Sequence, residues 1–222
     1  MAYQFVIEKT NYCNFSLDAL GEAHERFKFW VKFLNEHCLG KIAITSAPLL
    51  NNDALQALWL SAETSLDRDS GEASFTFRVS PSSLYRVTEA DMNRILGFPT
   101  ENLLADPTSE DLEGFFETIG YYKEPMVMSN LVKNFLHMEW DYYFEVVGRV
   151  FTTKISGYHG ITYISQIIGF ALANNLPVNF GRLILKQLFL KLGSKRSRDL
   201  SVKNVSCFYP RFLQMILDSI LS

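Results

Sequence analysis

Apolar side chains recur at intervals of three and four along Leu17, Leu20, Ala23, Phe27, Trp30, Val31, Leu34 and Cys38, which is one stripe of a long amphipathic helix. Gly40 stands where such a helix closes on a left-handed residue, residues 41–45 read as extended, and Pro48 keeps Ala47 out of the helical region. A second helix places Leu55, Leu58, Trp59 and Ala62 on one face. The period then falls to two. Over residues 73–79, Ala73, Phe75, Phe77 and Val79 point one way and Ser74, Thr76 and Arg78 the other, and residues 84–87 return as a hairpin partner around Ser80-Pro81-Ser82-Ser83. Thr88 and Asp91 have the spacing of a capping box for a helix that stops at Gly97, with Pro99 beyond.

After a polar linker over residues 101–107 the pattern is helical almost throughout. Thr108 and Asp111 cap a short helix ending at Gly120, and a break over 121–125 leads into an aromatic helical region from Asn130 to about Thr153. Residues 161–174 are apolar nearly all round, the mark of a buried central helix. Asn179 caps the next helix, read as running to Leu192, and Phe212, Met215, Ile216 and Ser219 mark one face of the last. The chain closes on that helix at Ser222, as a segment cut from a longer reading frame would. The expected architecture is mainly α, a multi-helix globular domain with one small β-hairpin in its N-terminal half. Residues 1–104 form an N-terminal helical lobe with that hairpin, and 105–222 a C-terminal helical lobe packed against it as one unit.

Composition changes this picture little. Of 222 residues 48% are hydrophobic and 14% aromatic, ample for a core and the opposite of a disordered chain. The first residues lack the basic-then-apolar order of a signal peptide, and the apolar stretch at 161–173 is far short of the roughly 20 residues that span a bilayer. Cys13, Cys38 and Cys207 have neither disulfide nor zinc spacing. The sequons at Asn14 and Asn204 carry no meaning without a secretory signal. An intracellular chain, cytoplasmic or nuclear and with no membrane contact, is expected.

Candidate chemistry is sparse. The phosphate-binding G-x-x-x-x-G-K-[ST], the dinucleotide G-x-G-x-x-G, the zinc H-E-x-x-H and the nucleophile-bearing G-x-S-x-G are all missing. His37 and Cys38 are adjacent, but successive helical side chains point about 100° apart, and Cys38 belongs to the apolar stripe. His24 and His137 read as packing or surface histidines; His159, between Tyr158 and Gly160 in a loop, is the least easily dismissed but has no identifiable partner. Acidic residues 67–72 lack the ligand order of a calcium loop and read as a solvated turn. Trp140, Tyr142, Tyr143 and Phe144 face several directions on a helix, which favours core packing over base stacking. No catalytic residue, metal site or cofactor is expected, and the chain reads as a non-enzyme.

Charge is the one anomaly. Between Val146 and Leu217 the only acid is Asp199, against Arg149, Lys154, Arg182, Lys186, Lys191, Lys195, Arg196, Arg198, Lys203 and Arg211, whereas residues 105–148 are strongly acidic. Arg182 and Lys186 share a helix face, and residues 195–198 read as an exposed basic loop after Gly193. With Lys203 these define a candidate nucleic-acid surface of Arg182, Lys186, Lys195, Arg196, Arg198 and Lys203. The competing reading packs the acidic segment against the basic one, or docks an acidic protein there.

Several stretches together carry a family likeness. These are Phe27 to Leu34 (FKFWVKFL), Ala43-Ile44-Thr45-Ser46-Ala47-Pro48, Leu58-Trp59-Leu60-Ser61-Ala62, Thr88-Glu89-Ala90-Asp91 after the hairpin, Phe180-Gly181-Arg182-Leu183-Ile184 and Tyr209-Pro210-Arg211-Phe212-Leu213-Gln214. In this order they resemble the plant transposon protein domain encoded by plant retrotransposons, notably copia-type elements. Leu58 stands where that pattern usually has phenylalanine, and Phe208 where it has methionine. The resemblance implies a transposon-derived, Gag-like or accessory protein with a protein partner or self-association, and it supplies no active site. Nucleic-acid binding through the basic C-terminal face is the alternative.

Overall fold

The computed structural model describes residues 4–7, 49–153, 157, 159–196 and 204–221, leaving aside the side chains of residues 4, 193–196 and 204. The helix expected over 17–38, its stop at Gly40, the extended 41–45 and the Pro48 turn lie outside the described residues. So do Cys13, His24, His37, Lys154, Arg198 and Lys203. In chain order the elements are β1 (Gln4–Ile7), α1 (Asn52–Ser61), β2 (Glu63–Leu66), β3 (Ala73–Phe77), β4 (Tyr85–Thr88), α2 (Glu89–Leu96), α3 (Ser109–Thr118), α4 (Met138–Phe151), α5 (Tyr163–Ala173), α6 (Phe180–Arg196), β5 (Asn204–Cys207) and α7 (Pro210–Leu221). Two single 3₁₀ turns, Met128–Asn130 and Lys133–Phe135, precede α4.

Among the described residues this is a mixed α/β fold, about half helical with two small sheets, and it corrects the expectation of a mainly α domain with one hairpin. The antiparallel sheet has the order β2-β3-β4, and the second sheet pairs β1 with β5 in parallel. Strand β2, Glu63-Thr64-Ser65-Leu66, has no alternating apolar face: all but Thr64 are exposed, so its sequence carries no strand signal. Its hairpin to β3 is closed by the expected acidic turn. There the Asp67 carboxylate accepts hydrogen bonds from the Asp69 and Ser70 amides and the Ser70 hydroxyl, at 3.0, 2.8 and 2.9 Å. Pairing of β1 with β5 (Phe5 opposite Val205, Ile7 opposite Cys207) joins segments remote in sequence, which local periodicity cannot reveal.

The hairpin expected from the period-two pattern is present as β3 and β4, with Phe75 opposite Val87 and Phe77 opposite Tyr85. Strand β3 ends at Phe77, two residues short of the Val79 read from the pattern, and β4 covers Tyr85–Thr88 where the pattern reads 84–87. The Ser61 hydroxyl takes both backbone groups of Arg78, accepting from its amide at 2.8 Å and donating to its carbonyl at 2.9 Å, so the ladder stops at Phe77. Ser74, on the expected polar face, is buried beneath Arg86, whose Nε donates to its hydroxyl at 3.2 Å.

Both capping boxes form, Thr88 with Asp91 and Thr108 with Asp111, and Gly97 ends α2 at φ 70° in the left-handed region. The aromatic helix begins only at Met138, because residues 128–135 form the two 3₁₀ turns and Val132 bridges to Gly160. Helix α5 is buried as expected, with Ile164, Ile167, Ile168, Ala171 and Leu172 in the core. The Tyr143 hydroxyl donates to the Gly169 carbonyl at 2.7 Å, and burial pushes its phenol well above the ordinary range. A Cβ on Gly169 would stand 2.5 Å from the Phe144 ring, so only glycine lets α4 and α5 approach this closely.

Helix α6 runs past Leu192 and Gly193 to Arg196, so Lys195 and Arg196 continue a helix where a loop was expected. A glycine inside a helix costs only about 1 kcal/mol against alanine, too little to stop one by itself. Helix α7 buries Phe212, Leu213, Ile216 and Leu217, while Met215 is half-buried and Ser219 exposed. Its buried face is rotated from the expected one because α7 packs against both α1 and α2. No helix among the described residues is long and apolar enough to cross a membrane.

Candidate functional site

The stretch Phe180-Gly181-Arg182 opens α6, and each residue has a separate task there. Phe180 is buried, its ring 5.5 Å from that of Phe98. Gly181 lies against α2: a Cβ on it would stand 2.6 Å from Asn93 Oδ1 and 2.7 Å from the Glu89 carbonyl oxygen. Its amide donates to Asn93 Oδ1 at 2.7 Å. Arg182 donates from Nη2 to Asp106 Oδ1 at 2.6 Å.

These contacts belong to a longer polar chain. Asn93, 2% exposed, donates from its amide nitrogen to Asn179 Oδ1 at 3.0 Å, and the same oxygen accepts from the Arg182 amide at 3.0 Å as the α6 cap. Asn179 in turn donates to Glu89 Oε2 at 3.0 Å, while Glu89 Oε1 accepts from the Ala73 amide at 3.2 Å. One network thus ties the start of β3, the first turns of α2 and the N-terminus of α6. Its oxygens are engaged by donors within the protein, which is how buried polar groups are kept from costing stability. Such an arrangement fixes the angle between two helices and offers no free base or nucleophile.

The stretch Tyr209 to Gln214 is used in the same way. Tyr209, at φ 54°, donates its hydroxyl to the Phe151 carbonyl at 2.8 Å and stacks on Phe212 with ring centres 5.5 Å apart; burial raises its phenol far above the ordinary range. Arg211 is 1% exposed. Gln214 accepts from the Asn51 amide at 2.8 Å and donates to Asp218 at 2.7 Å, joining α7 to the cap of α1.

Of the six basic residues singled out in the sequence as a candidate surface, only the side chains of Arg182 and Lys186 are among those described. Arg182 is ion-paired and only partly exposed, and its partner Asp106 comes from the acidic segment. Lys186 is exposed. The side chains of Lys195 and Arg196, and all of Arg198 and Lys203, lie outside the described residues. Elsewhere in the basic stretch Arg211 is buried, Lys191 sits 4.4 Å above the Phe208 ring, and Arg149 Nη2 pairs with Glu145 at 2.6 Å.

A charged cluster that sequence reading missed centres on Lys133, which is 6% exposed. Its ammonium lies 2.7 Å from Asp141 and 2.8 Å from Glu145, and its own amide donates to the His159 carbonyl at 2.8 Å. Burial alone would pull the Lys133 ammonium down, but the hydrogen bonds to Asp141 and Glu145 outweigh it and leave the group raised. The Lys133 hydrogen bond holds the Glu145 carboxyl below its ordinary range against burial, with Arg149 adding to the effect. Asp141, Glu145 and Arg149 are spaced at i,i+4 and were legible as one helix face; nothing local pointed to Lys133 as their partner.

Of the four histidines, His137 and His159 are among the described residues. His159 is exposed and contributes through its carbonyl; His137 is exposed at the start of α4, its ring 3.0 Å from where a Cβ on Gly120 would stand. No group of three His, Cys, Asp or Glu side chains among the described residues is placed to hold a metal ion. Phe144 and Tyr143 are buried, and Trp140 packs edge-on against Phe115 and Tyr143 at 5.6 and 5.3 Å, so this aromatic cluster is helix packing. No family model, curated protein or solved structure matches this chain.

Proposed function

We propose that this chain is a non-enzymatic interaction and assembly domain of the transposon-derived, Gag-like kind that its sequence resembles, acting through a protein partner or a second copy of itself. The observation that supports this reading is the use to which the family-like stretches are put. Leu58, Trp59, Phe180, Tyr209, Arg211 and Phe212 are buried, and the polar members of the same stretches are spent on internal bonds: Ser61 on Arg78, Thr88 with Asp91 on a helix cap, Arg182 on Asp106, Gln214 on Asn51. A sequence pattern spent on holding helices together fits a scaffold whose output is shape. It does not fit one whose recurring residues perform chemistry.

The test is whether the purified chain self-associates or retains a protein partner. A chain that stays monomeric at high concentration and captures nothing would overturn the proposal. A salt-titrated electrophoretic shift with duplex and single-stranded nucleic acid separates the alternative reading. Binding that weakens as salt rises, and that is lost on charge reversal of Lys186, Lys195 and Arg196, would replace assembly with nucleic-acid recognition.

A further inference from the structure

The turn between β3 and β4 holds the chain's one Ser/Thr–Pro step, Ser80-Pro81. It sits where a modifying enzyme can reach it. Ser80, Pro81 and Ser82 are exposed, and residues 78–84 lie between the two strands, outside their ladder. The turn is held by bonds within itself: the Ser83 amide and hydroxyl both donate to the Ser80 carbonyl at 3.2 Å, the Ser80 amide donates to the Ser83 hydroxyl at 2.9 Å, and the hydroxyls of Ser80, Ser82 and Ser83 meet at 3.0–3.4 Å. All of these are exposed, so drawing residues 79–82 into an extended conformation breaks bonds inside the turn and leaves β3 paired with β4. Local opening of this kind lies at the inexpensive end of the range a protein offers. Its flank, by contrast, is anchored, because both backbone groups of Arg78 are bound to the Ser61 hydroxyl.

Other serines are exposed as well, among them Ser65, Ser109, Ser129 and Ser219, but none of them precedes a proline. Pro81 also distinguishes Ser80 from Ser82 and Ser83, since a residue before proline is pushed toward the extended backbone that a kinase cleft grips. The Arg78 guanidinium already crosses the turn, donating to the Pro81 carbonyl at 3.3 Å.

From this geometry we propose that Ser80 is a phosphorylation site for a proline-directed protein kinase, with Arg78 as the internal partner of the phosphate. The γ-phosphoryl group of ATP moves to Ser80 Oγ. A phosphorus–oxygen bond forms there, the bond to the β,γ-bridging oxygen breaks, ADP leaves, and the hydroxyl proton passes to the kinase's base. The Arg78 guanidinium then exchanges the neutral Pro81 carbonyl for a dianionic phosphate, a charge-assisted and stronger hydrogen-bonding partner.

The test incubates the folded full chain with a proline-directed kinase and ATP and locates phosphate by mass spectrometry. One phosphate is expected at Ser80, abolished by Ser80→Ala and by Pro81→Ala and retained in Ser82→Ala, with far-UV circular dichroism unchanged in all three. Phosphate at another residue, or none at Ser80 in the folded chain even where a free peptide of residues 76–86 accepts it, overturns the site. For the Arg78 contact, the second ionisation of the phosphate, followed by ³¹P NMR, is expected at lower pH in the wild type than in Arg78→Ala. Equal midpoints would remove Arg78 from the account.

Discussion

Replacing Gly181 with alanine tests whether the α2–α6 contact is as tight as its geometry implies. In an open helix this change stabilises by about 1 kcal/mol, because alanine has the higher helix propensity. At Gly181 the added methyl would stand 2.6 Å from Asn93 Oδ1 and 2.7 Å from a main-chain oxygen of α2, and the latter cannot move unless the helix moves. Overpacking of this kind costs about 1–3 kcal/mol. Displacing Asn93 also takes the acceptor from the buried Gly181 amide, worth about another 1–3 kcal/mol. With the propensity gain subtracted, the expected loss is roughly 1–5 kcal/mol, centred on about 3. For a chain of 222 residues the central value corresponds to a fall in Tm of roughly 6–12 °C. Urea denaturation followed by circular dichroism gives the difference from the midpoint and slope. Gly114→Ala in α3 is the control, since nothing lies within 4 Å of its added Cβ; that variant should be neutral or up to about 1 kcal/mol more stable. A Gly181→Ala protein as stable as its Gly114→Ala counterpart would refute the close contact and the network built on it.

Three further outcomes follow from the same reasoning. Gly169→Ala should cost about 1–3 kcal/mol, and Phe144→Leu in the same chain should return part of it, because the obstacle is a ring that a smaller side chain removes; strictly additive losses in a thermal-denaturation cycle would contradict this. Lys133→Met leaves Asp141 and Glu145 facing each other without their cation. Breaking a fully buried pair costs about 3–5 kcal/mol, but these carboxylate side chains are 35% and 31% exposed, so screening reduces the expectation to about 1–2 kcal/mol. A pH series adds a sign to that prediction. Glu145 is held below its ordinary range in the folded state, so its contribution is present above its unfolded pKa and lost as pH falls through the folded one. Lys133 is raised, so its share persists below its ordinary value and is lost only as pH rises through the folded one. The gap between wild type and Lys133→Met should therefore be widest near neutrality and narrow in acid, and a gap independent of pH would count against the clasp.

What the sequence discloses and what it hides divide along physical lines. Helix caps are local, so Thr88 with Asp91, Thr108 with Asp111 and the left-handed Gly97 were readable from spacing alone and recur in the structure. Strong periodicity was equally reliable where one side faces the core, as in Leu55, Leu58 and Trp59 of α1 or Phe75 and Phe77 of β3. Strand β2 is mostly exposed and short, so no apolar alternation announces it. The pairing of β1 with β5 depends on contacts between remote segments, as do the bonds from Asn93 to Asn179 and from Lys133 to Asp141. Strand β2 and the β1–β5 pairing turn a chain that reads as helical with one hairpin into a mixed fold. The acidic and basic segments were legible as an imbalance; which cation meets which acid was not. The Arg182–Asp106 pair shows one such contact directly.

The central functional reading, assembly without chemistry, is tested most directly by sedimentation equilibrium of the purified full chain over a wide concentration range at moderate salt. The account predicts a weight-average mass that rises with concentration above the 25.4 kDa of a single chain. A mass that stays at the monomer value throughout, with no protein partner retained on purification, would contradict it.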